Sequence, residues 1–517
     1  MPNARSAAFD APTLAFVLLL AALTSVRVYL LTISPIDLNF DEAQYWAWSR
    51  SFEWGYFTKP PMVAWMIAAT TAIFGDAEWA VRLGAPLAHA VTAIMCYLIG
   101  RSMFGGWAGF WAGLGWLTIP GVFFSSFIIS TDVFLLPCWA FGLFAFWRFI
   151  NTRAWGWAAA VGVAIGLGLQ AKYAMLYFPA CMALAAWWVK PARDALTNWR
   201  WVPIALIALA LIAPNIIWNA QNGFVTAAHT AENLDANPTN LFNLDELGEF
   251  IGSQALLVGV VMFFALIGLY WRAARRPATL SDEDKLLLAF ILPTMIVVTT
   301  IAFVTRANAN WAVVSFVGAI VWIAGRLMTT KIGQRVLVGA VAFNIVFGAI
   351  VAYAPFRPEL ATMFKNVRGS MAWEETAREI ALRAAGQPGE APFTAVLVDD
   401  RATYFALQYY WRHARRAGAP LPPVRMWLLH GSARNSAEAT DPMRAEESSR
   451  VLVVHMSRDY LPFVAADFTT FRTVERLTVP LGGTYNRELE ISVAEGFAPA
   501  PRDAAFRQRV LELQGRR

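Results

Sequence analysis

Runs of roughly twenty apolar residues, the length that crosses the hydrocarbon core of a bilayer, recur from residue 12 to residue 354 of this chain. In lipid such a run has one stable form, a helix that satisfies its own backbone groups. Spans are read near 12–33, 79–100, 107–129, 133–150, 154–170, 173–189, 201–218, 251–271, 286–304, 311–327 and 336–354, eleven in all. The first lacks the small-residue cleavage pattern of a signal peptide and is expected to stay as an anchor. No span repeats another, which argues against an inverted-repeat transporter. Charged residues make up 15% of the chain, against about 25% in soluble domains. The net charge of +6 marks topology first and does not imply nucleic acid. Cys96, Cys138 and Cys181 lie in apolar runs and show neither disulfide nor metal spacing.

The stretch 61–74, PMVAWMIAATTAIF, is too short for a span and suits an interfacial or re-entrant helix. Charge decides its topology. If it does not cross, Arg101, Arg148, Arg153, Lys190, Arg193, Arg200, Arg272, Arg275, Arg276, Lys285, Arg326, Lys331 and Arg335 all face inside. The opposite loops then keep only Arg50, Lys59, Lys172 and Arg306. If it did cross, every later loop would swap sides and violate the positive-inside rule. The expected topology therefore has the N-terminus inside and the C-terminus outside, in a bacterial inner membrane. Two outside loops, 34–60 and 219–250, are acidic.

After residue 355 the hydropathy collapses. Segments 393–400 (FTAVLVDD) and 450–457 (RVLVVHMS) read as buried strands, with further candidates at 423–429 and 472–481. Segments 366–386 and 401–412 read as helices, and 431–449 as a loop. The expected fold is an α-helical polytopic membrane domain over 1–354, with interfacial helices, followed by a small α/β domain over 355–517 on the outside.

Ionisable groups at a membrane face are costly and mark candidate sites. Asp41 and Glu42, in NFDEAQYWAWS, stand just after the first span. Either could serve as a general base on a sugar hydroxyl, or simply favour a helix start. Lys59, in FTKPPMVAW, could hold a lipid phosphate or snorkel at the interface. Asp132 opens the fourth span as a second acid or as a cap. Lys172 occupies a tight outside turn and Arg306 a similar one, while Arg27 and Arg82 lie near the outside ends of their spans. These cations collect where positive-inside sorting removes them. A phosphate or pyrophosphate ligand accounts for them; salt bridges to outside acids account for one or two. His229, three residues before Glu232, is a weak metal-ligand candidate. His89 reads as packed in the bundle, and His413, His430 and His455 show no motif spacing.

Read in order, DEAQYWAWS (41–49), TKPPMVAW (58–65), WAVRLGAPLAHAVTAIMCYLIGRSMFG (79–105), STDVFLLPCWAFGLFAF (130–146), GLGLQAKYAMLYFPA (166–180) and ANANWAVVSF (307–316) resemble the bacterial GT-C glycosyltransferases. The resemblance is to the superfamily of dolichyl-phosphate-mannose protein mannosyltransferases. Within it the nearest branch is the lipid A and lipopolysaccharide-core transferases for aminoarabinose and galacturonic acid. It implies a polyprenyl-phosphate sugar donor, a glycolipid or glycan acceptor, membrane lipids as surroundings, and inversion by direct displacement at the periplasmic face. It makes Asp41 the catalytic acid of the first loop, with Glu42 or Asp132 in support. It matches Lys59 to the phosphate-contacting lysine of the KPP motif and Lys172 to the lysine of the short outside turn; their shared outside face adds Arg82 and Arg306 to the expected phosphate-binding set. The aminoarabinose branch has a metal-binding glutamate before the KPP lysine; Thr58 stands there in this chain. A divalent metal is thus left open. A lipid-linked-sugar flippase and a protein O-glycosyltransferase are the alternatives.

Overall fold

The computed structural model of the protein describes residues 10–226 and 242–514. The chain divides into two compact units: Met1–Ile33 with Glu53–Tyr353, and Ser34–Phe52 with Ala354–Arg517. The segment 34–52, expected as a loop of the membrane domain, thus groups with the C-terminal part.

The first unit is helical. It begins with α1 (Ala11–Thr32); α2 (Phe40–Trp48) belongs to the second unit. Then follow α3 (Met62–Phe74), α4 (Glu78–Arg82), α5 (Gly84–Phe104), α6 (Gly106–Thr118), α7 (Pro120–Ser125), α8 (Thr131–Thr152), α9 (Trp155–Ala171), α10 (Tyr177–Trp188), α11 (Lys190–Leu196) and α12 (Val202–Gln221). Among the described residues six helices are long and apolar enough to cross a membrane: Ala11–Thr32, Glu78–Phe104, Thr131–Thr152, Trp199–Gln221, Asp282–Val304 and Lys331–Phe356. The protein is a multi-pass membrane protein.

The expected eleven spans are not reached by length and composition alone, for identifiable reasons. The run 107–129 breaks at Ile119, where Pro120 starts a new short helix. The run 251–271 is not straight. Helices Leu244–Val258 and Val260–Arg275 meet at 110°. The joint is Gly259, at φ +87°, where an added Cβ would lie 2.1 Å from the Asn344 side-chain oxygen. Trp155–Ala171, Tyr173–Trp188 and Ser315–Leu327 are apolar but shorter. Helix α3 has 13 residues, about 20 Å at 1.5 Å per residue, against the roughly 30 Å of a hydrocarbon core.

Inside the first unit α5 packs on α6, α8 on α9, and α9 on α12. One ion pair ties two of its later helices together. Asp284, 3% exposed, caps the helix Asp282–Val304 through a box with Ser281. The same carboxylate accepts from Trp322 Nε1 at 2.7 Å and from Arg326 Nε at 2.5 Å.

The second unit carries a five-stranded sheet in the order β2-β1-β3-β5-β4, with β1 (Ala395–Val398), β2 (Val424–Met426), β3 (Val451–His455), β4 (Phe468–Gly482) and β5 (Tyr485–Phe497). β1 runs parallel to both neighbours, and β5 runs antiparallel to β3 and β4. The helix Arg401–Tyr410 joins β1 to β2, the crossover that parallel strands need. The strand expectations at 393–400, 423–429, 450–457 and 472–481 each fall on an observed strand; β5 had not been anticipated. The expected loop 431–449 contains two short turns of helix, Ser436–Thr440 and Ala445–Glu447. Segment 34–52 is built into this unit. Asp37 accepts from the amides of Trp373 (2.5 Å) and Glu374 (3.2 Å), capping the helix Trp373–Ala384 from a distant part of the chain.

At the carboxyl ends of β1 and β3 the sheet buries titratable groups. Asp399 Oδ2 lies 3.3 Å from His455 Nδ1, and Asp399 Oδ1 accepts from the Met456 amide at 2.9 Å. Burial and the adjoining Asp400 carboxylate push Asp399 up to about 8; burial pushes His455 down to about 4. The folded chain therefore keeps a proton on Asp399 that the unfolded chain releases, so this group's contribution to stability falls as pH rises toward about 8. Buried neutral, His455 acts oppositely, and only below its ordinary 6.5. Between pH 6.5 and about 8 His455 no longer contributes, and Asp399, with Asp400 pushed up beside it by burial, sets the trend. Pulse proteolysis of the full chain in detergent should show the C-terminal unit loosening across that window, and Asp399→Asn should flatten the slope; an unchanged slope in the variant would remove Asp399 as its source.

Candidate functional site

The most tightly bonded of the expected residues are Asp132 and Lys172. Asp132 sits in the first turn of α8, whose N-cap is Ser130. Its carboxylate is 8% exposed and fully engaged. Lys172 Nζ donates to Oδ1 at 2.7 Å, and Asn310 Nδ2 donates to Oδ2 at 2.7 Å. Lys172 is the extended residue that ends α9, just before the 3-10 turn Tyr173–Leu176. Asn310 comes from the 3-10 turn Ala309–Ala312, four residues past Arg306. Asp132 thus bonds Lys172 and Asn310 through separate oxygens.

Lys59 stands on a loop whose shape is over-determined. The Tyr56 amide donates to the Lys59 carbonyl at 3.1 Å, closing a turn ahead of Pro60 and Pro61. Three bonds pin the loop to α12 and the residues just beyond it. Asn215 Nδ2 donates to the Trp54 carbonyl at 2.6 Å, Trp218 Nε1 to the Glu53 carboxylate at 3.1 Å, and the Thr226 hydroxyl to the Tyr56 carbonyl at 2.7 Å. Gly55 makes the approach possible, since a Cβ there would lie 2.4 Å from the Trp218 ring. Asn215 also accepts from the Tyr173 hydroxyl at 2.8 Å, and Tyr173 follows Lys172. The Lys59 loop and the Lys172 turn therefore share one anchor.

The second unit holds the acidic pair. Asn39 is the N-cap of α2, its side chain accepting from the Asp41 amide at 3.0 Å. Glu42 closes the capping box by accepting from the Asn39 amide at 2.9 Å, and it is fully buried. Glu42 therefore takes part in the start of α2. Asp41 is not the cap. Its side chain, 44% exposed, lies 3.6 Å from the Arg401 guanidinium. Arg401 is also 3.3 Å from Gln44 Oε1 and stacks over the Phe40 ring at 4.6 Å.

The other expected residues spread out. Arg82 ends α4 and is 3% exposed. Arg306 is exposed. Arg27 is 1% exposed, donates to the Leu117 carbonyl and lies over the Phe123 ring. His89 is buried and 3.0 Å from the Ser125 hydroxyl, as packing in the bundle requires. His229 and Glu232 lie outside the described residues. Among the described residues no three His, Cys, Asp or Glu side chains gather as a metal site.

Arg401, Asn310, Asn215 and Asn219 escaped the sequence reading. The two α12 asparagines carried a usable signal: polar residues four apart on an apolar span share one face and need partners. Arg401 and Asn310 carried none, because their partners are remote in sequence.

The profile described as dolichyl-phosphate-mannose-protein mannosyltransferase matches residues 58–218. The lipid A galacturonosyltransferase RgtD of Rhizobium johnstonii is 31% identical over 417 residues, covering 78% of this chain and 85% of that protein. The chain belongs to the GT-C glycosyltransferases of this superfamily. A Pseudomonas fluorescens undecaprenyl phosphate-alpha-4-amino-4-deoxy-L-arabinose arabinosyl transferase is 28% identical over 30% of this chain and 29% of its own length. Among solved structures, ArnT of Cupriavidus metallidurans bound to undecaprenyl phosphate superposes with a TM-score of 0.58 at 15% identity, over 95% of this chain and 99% of that one. That likeness establishes the GT-C fold across both units. Within this GT-C protein the Asp132 node predicts unequal costs. Asp132→Ala strands a part-buried ammonium and should cost about 3 kcal/mol, whereas Asn310→Ala removes one bond worth about 1 kcal/mol. Thermal unfolding in detergent should rank them so; equal midpoints would show that Lys172 is not held by Asp132.

Proposed function

We propose that the protein is a glycosyltransferase that moves a sugar from a polyprenyl phosphate to lipid A or the lipopolysaccharide core, at the periplasmic face of a bacterial inner membrane. The observation that carries this reading is the 31% identity to a lipid A galacturonosyltransferase along 85% of that protein's length. The extent of that match, against 29% of the length of the aminoarabinose transferase, favours a hexuronic acid as the sugar. In this reading eleven crossings place the N-terminus inside and the unit 355–517 outside, as the charge distribution of the loops supports.

Asp41 is the base. It takes the proton of the acceptor hydroxyl while that oxygen bonds to the anomeric carbon of the sugar. The bond from that carbon to the phosphate oxygen breaks from the opposite side, and its electron pair leaves on the phosphate. The configuration inverts. Lys59, Arg82, Lys172 and Arg306 meet the charge that grows on the phosphate. Asp132 and Asn310 orient Lys172. Arg401 orients the Asp41 carboxylate. No step is routed through a metal.

Asp41→Asn keeps size and polarity but cannot accept the proton. It should lower transfer in a reconstituted assay by at least a hundredfold, with binding of undecaprenyl phosphate retained; full activity in this variant removes Asp41 as base. Mass spectrometry of lipid A, core and surface glycans from a deletion strain should show one uronic acid missing from lipid A or core. Loss of a sugar from a protein instead would favour O-glycosylation of protein.

A further inference from the structure

Asn215 lies in a helix whose other residues over 204–217 are apolar or proline, and it is 1% exposed. Burying a primary amide costs free energy unless its groups are bonded. Here both ends of the amide are used, and each reaches a different part of the chain. Nδ2 donates to the Trp54 carbonyl at 2.6 Å, and Oδ1 accepts from the Tyr173 hydroxyl at 2.8 Å. One turn on, Asn219 (4% exposed) donates to that hydroxyl at 3.2 Å and to the Asn215 carbonyl at 3.0 Å. The hydroxyl accepts once and donates once. A directed relay therefore runs from Asn219 through Tyr173 and Asn215 to the Trp54 carbonyl, each bond polarising the next.

Two members of the relay, Trp54 at its end and Tyr173 within it, belong to segments that carry lysines. Trp54 is in the loop that the Tyr56–Lys59 turn closes. Tyr173 adjoins Lys172, whose ammonium Asp132 holds. A leucine would fill a similar volume at position 215 without a polar group to satisfy, so filling space alone does not account for the asparagine.

We infer that Asn215 is a positioning residue that fixes the spacing of the Lys59 and Lys172 segments, so that the two cations meet one phosphate group of a lipid carrier. The inference rests on the reading of these lysines as phosphate ligands. Tyr173 and Asn219 complete the bracket. Displacements of about 1 Å in such a clamp are costly because ammonium–phosphate bonds depend on distance and direction.

The test uses the full-length protein in detergent with undecaprenyl phosphate as probe and undecaprenol, the same chain without phosphate, as control. Wild type should prefer the phosphate. Asn215→Leu should weaken undecaprenyl phosphate about tenfold and leave undecaprenol unchanged, whereas general damage to the fold would weaken both. Tyr173→Phe should give a smaller loss of the same kind, and the double variant should be no worse than Asn215→Leu, because both act on one relay. In turnover donor KM should rise and kcat should fall with it, because the same cations meet the charge that grows on the leaving phosphate. If Asn215→Leu does not survive extraction, Tyr173→Phe carries the test, with an unchanged phosphate preference overturning the bracket. A wild type that binds both lipids equally overturns the phosphate reading and the inference together. A wild type that prefers the phosphate, with variants that match it or lose both lipids alike, overturns the inference alone.

Discussion

The cost of placing charge in a low-dielectric surrounding governs this protein. A bare ammonium or carboxylate at a membrane face has to find a partner or a ligand. Asp132 meets that demand inside the first unit: one oxygen takes Lys172 and the other takes Asn310. The contact joins the start of α8, the end of α9 and the turn before Ser315–Leu327, three parts of the chain more than a hundred residues apart at the extremes. Asp284 does the same work elsewhere with Arg326 and Trp322.

Much of the architecture was legible because it follows from periodicity and length. The apolar runs and the short β-branched strands at 395–398 and 451–455 report their own burial. What stayed hidden depends on partners remote in sequence or on single backbone angles. The bend at Gly259 looks in sequence like any glycine in an apolar run. The membership of segment 34–52 in the second unit turns on Asp37 capping a helix that begins at Trp373. β5 was missed because it buries charged residues, Arg487 at 8% and Glu490 at 9% exposure, which masks the alternation. Of the candidate site, the acids and cations were visible as charges out of place. Their anchors, Asn215 and Asn310, are neutral, and charge sorting cannot see neutral residues.

Adjacent carboxylates show why a motif alone does not assign a role. Asp41 and Glu42 are equal candidates as letters in a sequence. Helix geometry separates them, because a capping box uses an acceptor at the N-cap and a second at the third helical position, and not the two positions between. Asn39 and Glu42 fill those two places. Of the two residues between them, Asp41 keeps a partly exposed side chain 3.6 Å from the Arg401 guanidinium. A carboxylate outside the capping box, partly exposed near a guanidinium, is the reason the proposal gives the base role to Asp41. The same box that buries Glu42 therefore presents Asp41.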